Sequence, residues 1–226
     1  MSGVAENLAS IRDRIARACE RAERDPASVK LIAVSKTKPV ELIRAALGAG
    51  QIDFGENYAQ ELRDKAVELG EGPRWHFLGA LQTNKVKYVA GRAALVHTVD
   101  RAPLAEEIAK RARAINCAQS ILLEVNLAAE PQKGGVTPAQ LLSLLAAVRA
   151  LPELSCQGLM CIPPAGQDPR ACFAKLRRLR DEHAAGPELS MGMSDDFEVA
   201  IEEGATLVRV GTAIFGARGP PAPQPG

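Results

Sequence analysis

Apolar positions in this chain change their period again and again. Near the start, Leu8, Ile11, Ile15, Ala18 and Ala22 recur at helical spacing, with Arg12, Asp13, Arg17, Glu20, Arg21 and Arg24 off that face. Asp25-Pro26 ends this first helix. From Leu31 onward, short apolar runs alternate with amphipathic stretches. The runs predict strands over Leu31–Val34, Ile52–Phe54, Trp75–Leu78, Leu95–Val99, Ile121–Asn126, Cys156–Cys161, Leu189–Met191 and Leu207–Val210. Between them, helices are predicted over Val40–Ala49, Tyr58–Leu69, Asn84–Ala90, Pro103–Ile115, Pro138–Leu151, Ala171–His183 and Asp195–Glu203.

Strands that alternate with helices make a parallel sheet with right-handed crossovers. Eight such units within 226 residues fit a compact (β/α)8 TIM barrel preceded by an extra N-terminal helix. The rival doubly wound sheet carries a Gly-x-Gly-x-x-Gly turn after its first strand. Here that turn reads Ser35-Lys-Thr-Lys-Pro39. Residues 1–217 are therefore expected to form one domain, and the proline-rich segment 218–226 reads as a disordered tail.

Composition narrows the function. A net charge of +1, with acids and bases mixed, leaves no electrostatic footprint for nucleic acid. No apolar run has the length of a membrane span, and the start lacks the blocks of a signal peptide. The expected location is the cytoplasm. The five cysteines form no Cys-x-x-Cys pair and read as small hydrophobes in a reducing compartment. His76, His97 and His183 stand far apart along the chain with no metal-ligand spacing. No long exposed apolar helix calls for a dimer, so a monomer is expected.

A barrel gathers its chemistry at the C-terminal ends of its strands. Lys36 follows the first strand, and Gly55-Glu-Asn-Tyr58 follows the second. His76 and Gly79 close the third, Gly192-Met-Ser-Asp-Asp196 follows the seventh, and Arg209-Val-Gly-Thr212 closes the eighth. A partly desolvated lysine has a lowered pKa and can attack a carbonyl, although a strand-end lysine can equally snorkel to water. Gly192, Gly211, Thr212 and Ser194 at a helix start suit a phosphate. Ser194 also fits an ordinary N-cap, with Asp195 and Asp196 as first-turn acids pointing outward. One cofactor uses both features, pyridoxal 5′-phosphate (PLP): a lysine for its aldehyde and donors for its phosphate. Arg209 lies two residues before Gly211, within reach of the ring nitrogen. An arginine there donates a hydrogen bond and discourages ring protonation, which weakens PLP as an electron sink.

Six stretches occur in order: Ala33-Val-Ser-Lys-Thr-Lys-Pro39; Phe54-Gly-Glu-Asn-Tyr58; Trp75-His-Phe-Leu-Gly79 with Leu81-Gln-Thr-Asn-Lys85; Gly158-Leu-Met160; Gly192-Met-Ser-Asp-Asp196; and Val208-Arg-Val-Gly-Thr-Ala-Ile-Phe-Gly216. Through them the chain resembles the PLP homeostasis family (the YggS/PROSC type) from about Val4 to Ala217. The resemblance implies a barrel like the N-terminal domain of alanine racemase. It implies that Lys36 holds PLP as a Schiff base and that Asn57 lies beside the ring. Arg209 would face the ring nitrogen, and Ser194, Gly211 and Thr212 would hold the phosphate. Met193, in the same loop as Ser194, is grouped with the cofactor-binding residues. It further implies binding, buffering and delivery of PLP, with PLP-dependent apoenzymes as recipients and no efficient reaction of its own. Ala80 and Met191 depart from the usual proline and leucine without touching the cofactor. Lys133 matches a lysine implicated in cofactor transfer in some relatives, and reads as a solvated loop lysine.

The alternatives are a PLP-dependent amino-acid racemase and a Schiff-base aldolase. Racemisation needs a second acid–base group opposite Lys36. Tyr58 and Tyr88 are the two tyrosines; Tyr58 starts the helix after the second strand and Tyr88 lies inside a predicted helix, so no second base is evident, and the chain past its eighth strand is not expected to offer a covering domain. An aldolase has no use for Arg209. A carrier is the expectation.

Overall fold

The computed structural model describes residues 2–128, 130 and 132–217; the segment 218–226 lies outside the described residues. Helix α1 (Ser2–Arg21) comes first. It is followed by β1 (Lys30–Val34), α2 (Val40–Gly48), β2 (Asp53–Glu56), α3 (Ala59–Leu69), β3 (Arg74–Phe77), α4 (Val86–Val89), β4 (Ala93–Val99) and α5 (Ala102–Ala114). The second half comprises β5 (Gln119–Glu124), α6 (Pro138–Arg149), β6 (Leu154–Met160), α7 (Arg170–His183), β7 (Glu188–Ser190), α8 (Phe197–Glu202), β8 (Leu207–Val210) and α9 (Thr212–Phe215). The strands pair in parallel in chain order and β8 returns to β1, so the sheet closes into the expected barrel.

Period-two alternation sorts the strand residues into two cores. Leu31, Ala33, Phe54, Trp75, Val96, Leu123 and Val208 face the helices in the large outer core. Ile32, Leu78, Leu95, Leu122, Met160 and Leu207 fill the barrel axis with Val34 against them. Short strands buried on both faces explain why the sequence shows apolar runs rather than clean alternation.

The expected N-terminal helix has a structural task. The last helix, α9, has four residues and cannot cover the seam between β8 and β1. Helix α1 packs on α2, α8 and α9 instead, burying Leu8, Ile11, Ile15 and Ala18. Arg14 lies 4.5 Å over the Phe197 ring, and Arg14 and Arg21 both pair with Glu198.

Three expectations are corrected. The helix predicted over Asn84–Ala90 is a 3-10 turn, Thr83–Lys85, running into the four-residue α4. The helix predicted from Asp195 starts at Phe197. The Asp196 side chain turns back to accept from the Met193 amide at 2.6 Å, which holds residues 193–196 as a turn. Ser194 is therefore not an N-cap, and Asp196 does not point outward but stays half-buried. Helix α9 has no counterpart among the predicted elements.

Candidate functional site

At the C-terminal rim the register brings the ends of the chain together. Ile32 pairs with Arg209 and Ala33 with Val210, so the Lys36 loop emerges beside Gly211 and Thr212. A side chain at Gly211 would begin 3.1 Å from the Val34 carbonyl oxygen, a close approach that glycine permits. Lys36 is half-buried in the turn just beyond β1.

That turn is gripped on both sides of Lys36. The Lys65 ammonium, from α3, donates to the Ser35 carbonyl at 2.7 Å, to Glu56 Oε1 at 2.8 Å and to Glu61 Oε1 at 2.6 Å. The Ser35 hydroxyl donates to Glu56 Oε1 at 2.7 Å, and Glu61 Oε1 accepts from the Thr37 amide at 2.7 Å. Thr37 itself sits at φ 60°, a left-handed conformation that a β-branched residue adopts only under constraint. Lys65 is 7% exposed and Glu56 is fully buried. Burial pushes the Glu56 carboxyl up to about 7, against the pull of Lys65. Glu56 therefore faces α3 rather than the mouth, and serves the lysine loop from behind. Glu61 and Lys65 at helical i,i+4 spacing were the one sequence signal for this clamp.

Arg209 points into the barrel and is 5% exposed. Its Nη1 donates to Ser190 Oγ at 2.7 Å and its Nη2 to the Cys161 carbonyl at 3.0 Å. Both acceptors are neutral, and among the described residues no carboxylate oxygen lies within 4 Å of it. Burial lowers its pKa from the ordinary arginine value. Glu124 at the end of β5 is pushed up to about 7, chiefly by burial, with Asp100 adding to the rise and Arg209 opposing it.

The loop after β7 closes the other side. Gly192 sits at φ 89°, and a Cβ there would meet Ala200 Cβ at 2.6 Å and Phe197 Cα at 2.8 Å. Its carbonyl accepts from the Arg209 amide at 3.0 Å, which ties this loop to β8. Ser194 is half-buried in the turn, while Thr212 is exposed at the first position of α9. Met193 is exposed, its amide engaged by Asp196. Together with Asp196, Lys133, Ile162 and Pro163 it lines a groove of about 540 Å³. Asn57 is half-buried where β2 leaves the barrel, its backbone against Gly79. Lys133 is ion-paired rather than simply solvated, donating to Glu130 at 2.8 Å and to the Pro163 carbonyl at 3.2 Å.

One expectation fails in space. His76 and His97, distant in sequence, face each other inside the barrel with Nδ1 and Nε2 2.9 Å apart. His76 also hydrogen-bonds Asp53 at the opening residue of β2, so it belongs to the interior and not to the mouth. Among the described residues no group of His, Cys, Asp and Glu is arranged for a metal. The cysteines are free thiols, with Cys161 and Cys172 in contact at 4.0 Å.

The family model for the alanine racemase N-terminal domain matches residues 7–219. A pyridoxal phosphate homeostasis protein of Aquifex aeolicus is 49% identical over 222 residues, covering 94% of this chain and 97% of its own. The chain belongs to the pyridoxal phosphate homeostasis protein family. PipY of Synechococcus elongatus PCC7942, solved with PLP bound, superposes with a TM-score of 0.83 at 38% identity, covering 94% of this chain and all of its own. Alanine racemase from Corynebacterium glutamicum shares the fold, with a TM-score of 0.71 at 14% identity over 96% of this chain and 61% of its own. Ser35, Glu56, Glu61 and Lys65 form a supporting layer under the loop of Lys36.

The buried Glu56 carboxyl generates a pH prediction. Its folded value of about 7 lies above the ordinary 4.5, so the folded chain keeps a proton that the unfolded chain loses. Its stabilising contribution is full below 4.5 and is lost as the pH rises through about 7. Glu56→Gln cannot ionise. The urea midpoint of the parent should therefore fall relative to that of Glu56→Gln across this window, measured by circular dichroism. Curves that stay parallel would show that Glu56 does not titrate in this range.

Proposed function

We propose that this chain binds PLP at the barrel mouth and acts as a carrier that buffers and delivers the cofactor, without efficient catalysis of its own. One juxtaposition carries the reading: Lys36 follows β1, and the buried Arg209, whose two side-chain bonds go to neutral acceptors, lies on the adjacent β8. The residues fit the group. A buried guanidinium is costly unless its donors find acceptors, and a pyridine nitrogen is an acceptor that brings no charge. The names of the curated relatives and the PLP bound to PipY support the same assignment.

In this reading Lys36 is the amine for the cofactor aldehyde, held in place by the clamp on Ser35 and Thr37. Arg209 donates to the ring nitrogen, and Asn57 borders the ring. Ser194, Gly211 and Thr212 serve the phosphate, with Met193 on the same loop. PLP itself supplies a reactive aldehyde and an electron sink. Arg209 keeps its own proton and so gives the ring nitrogen no positive charge. Racemisation also needs a second acid–base group, and neither tyrosine lies inside the barrel. Tyr58 caps α3 and is 56% exposed, and Tyr88 lies beneath Arg63, Lys85 and Lys87. Both points favour a carrier over a racemase. The recipients are PLP-dependent apoenzymes, and the carrier works as a cytoplasmic monomer.

Lys36→Ala should remove the visible absorption band of the bound cofactor and leave the far-ultraviolet circular dichroism unchanged. Borohydride reduction of the parent followed by peptide mapping should place the label on Lys36. A label on Lys85 or Lys133 instead would overturn the assignment.

Ser194→Ala and Thr212→Val should each weaken PLP by roughly ten- to a hundredfold, the worth of one hydrogen bond to a charged group. Pyridoxal, which lacks the phosphate, should bind both variants as it binds the parent. Equal losses for the two ligands would remove these residues from phosphate binding.

Alanine racemisation by the PLP-loaded parent, followed by chiral chromatography, should run far below the roughly 1–10³ s⁻¹ usual for enzymes. Turnover inside that range would replace the carrier reading with the racemase one.

A further inference from the structure

Asp53, His76, His97, Ser190 and Arg209 come from five different strands and form one buried line of hydrogen bonds. Asp53 Oδ1 lies 2.8 Å from His76 Nε2, His76 Nδ1 2.9 Å from His97 Nε2, and His97 Nδ1 2.8 Å from Ser190 Oγ. Arg209 Nη1 reaches the same Oγ at 2.7 Å. None of the five is more than 5% exposed. The line starts at the first residue of β2, passes through β3 and β4, and crosses the barrel to β7 and β8 at the mouth. Arg74 anchors the far end with two bonds to Asp53, at 2.5 and 2.7 Å.

The direction of each bond follows from donor arithmetic. A carboxylate accepts only, so His76 donates Nε2–H to Asp53. A neutral imidazole has a single N–H, so His76 Nδ1 accepts and His97 donates Nε2–H to it. His97 Nδ1 then accepts from the Ser190 hydroxyl. Arg209 only donates, and the Ser190 oxygen receives it. Every bond points from Arg209 towards Asp53. Neutral imidazoles are the condition for this order. Burial lowers the pKa of His76 against the pull of Asp53, with Lys30 and Arg74 adding to the fall. His97 is driven well below the ordinary value by burial, then by His76, Arg209 and Lys30. Asp53 would be raised by its burial, but bonds from His76 and Arg74 outweigh that and hold it down to about 2.

We propose that Asp53, His76, His97 and Ser190 are positioning residues for Arg209, fixing its guanidinium plane so that its free edge meets the ring nitrogen of PLP. This rests on the reading of Arg209 given above. With its proton committed to His97, the Ser190 hydroxyl presents only lone pairs to the guanidinium. Without His97 the hydroxyl is free to rotate, and its proton can turn towards a cation. Ser190 and the Cys161 carbonyl hold two N–H groups on two strands, which sets the plane of a side chain that otherwise has many rotamers.

Two measurements test it. The first uses the cofactor-free chain. Imidazole ¹⁵N spectra between about pH 6 and 8 should show His76 and His97 neutral, each with its proton on Nε2. Ser190→Ala should move the His97 Nδ1 resonance towards that of an unbonded acceptor and leave the tautomer of His76 as it was. A charged imidazole, or a proton on either Nδ1, breaks the one-way line and overturns the proposal. The second compares PLP with its 1-deaza analogue, in which C–H replaces the ring nitrogen. The parent should prefer PLP, and Arg209→Gln should abolish the preference. A preference that survives Arg209→Gln overturns the ring-nitrogen reading and this proposal with it. Where that control holds, Ser190→Ala and His97→Gln should each weaken PLP by roughly three- to tenfold, the worth of one ordinary hydrogen bond. The analogue should be nearly unaffected, and Ser190→Thr, which keeps the hydroxyl, should bind as the parent does. Equal losses for both ligands mark a merely structural role, and no loss marks none; either result overturns the positioning role and leaves Arg209 at the ring nitrogen.

Discussion

A barrel closed by eight short parallel strands has to fill its own axis, and every inward position is either packing or chemistry. Here six apolar residues occupy part of the axis, and a polar line from Asp53 to Arg209 occupies much of the rest. Buried polar groups are tolerable only when each donor finds an acceptor. The line meets that condition while ending on a cation whose two side-chain bonds go to neutral acceptors. The same closure places β8 next to β1, so Arg209 pairs with Ile32, four residues before Lys36, although they lie at opposite ends of the chain.

Rigidity at the mouth is supplied from behind. The Lys36 turn carries an unfavourable left-handed Thr37 and is held by Lys65, Glu56 and Glu61, which reach it from α3 and the end of β2. Buried ion pairs seldom add net stability, because desolvation offsets attraction. Their effect here is geometric: Lys65 and Glu61 fix the backbone on either side of one lysine, and Glu56 holds Lys65 and the Ser35 hydroxyl. The glycine at 192 does similar work on the far side, letting the loop lie against α8 where any Cβ would collide.

Much of this was legible in the residues, for physical reasons. Strand β8 falls over Leu207–Val210 as read, because a β-branched run between turn residues has few alternatives. The expectation of one rim follows from barrel geometry, in which strand ends share a face, although His76 lies in the interior instead. What stayed hidden depends on distance in sequence. No pattern pairs His97 with Ser190, 93 residues away. Asp196 was misread because an aspartate near a helix start has two competing options, and its carboxylate took the Met193 amide. Helix α9 is a single turn, too short to show a period.

The displaced groups also explain why the whole molecule can hide them. Glu56 and Glu124 keep protons in the folded state that the unfolded chain loses, so their contributions fall as the pH rises from 4.5 towards 7. His76 and His97 have lowered pKa values when folded, whereas the unfolded chain takes up protons below 6.5; their contributions fall as the pH drops. The two pairs work in opposite directions across the same window. Total stability can therefore change little with pH even though four buried groups are shifted from their ordinary values. Substituting one group at a time separates them, because each variant removes one slope and leaves the opposing one in place.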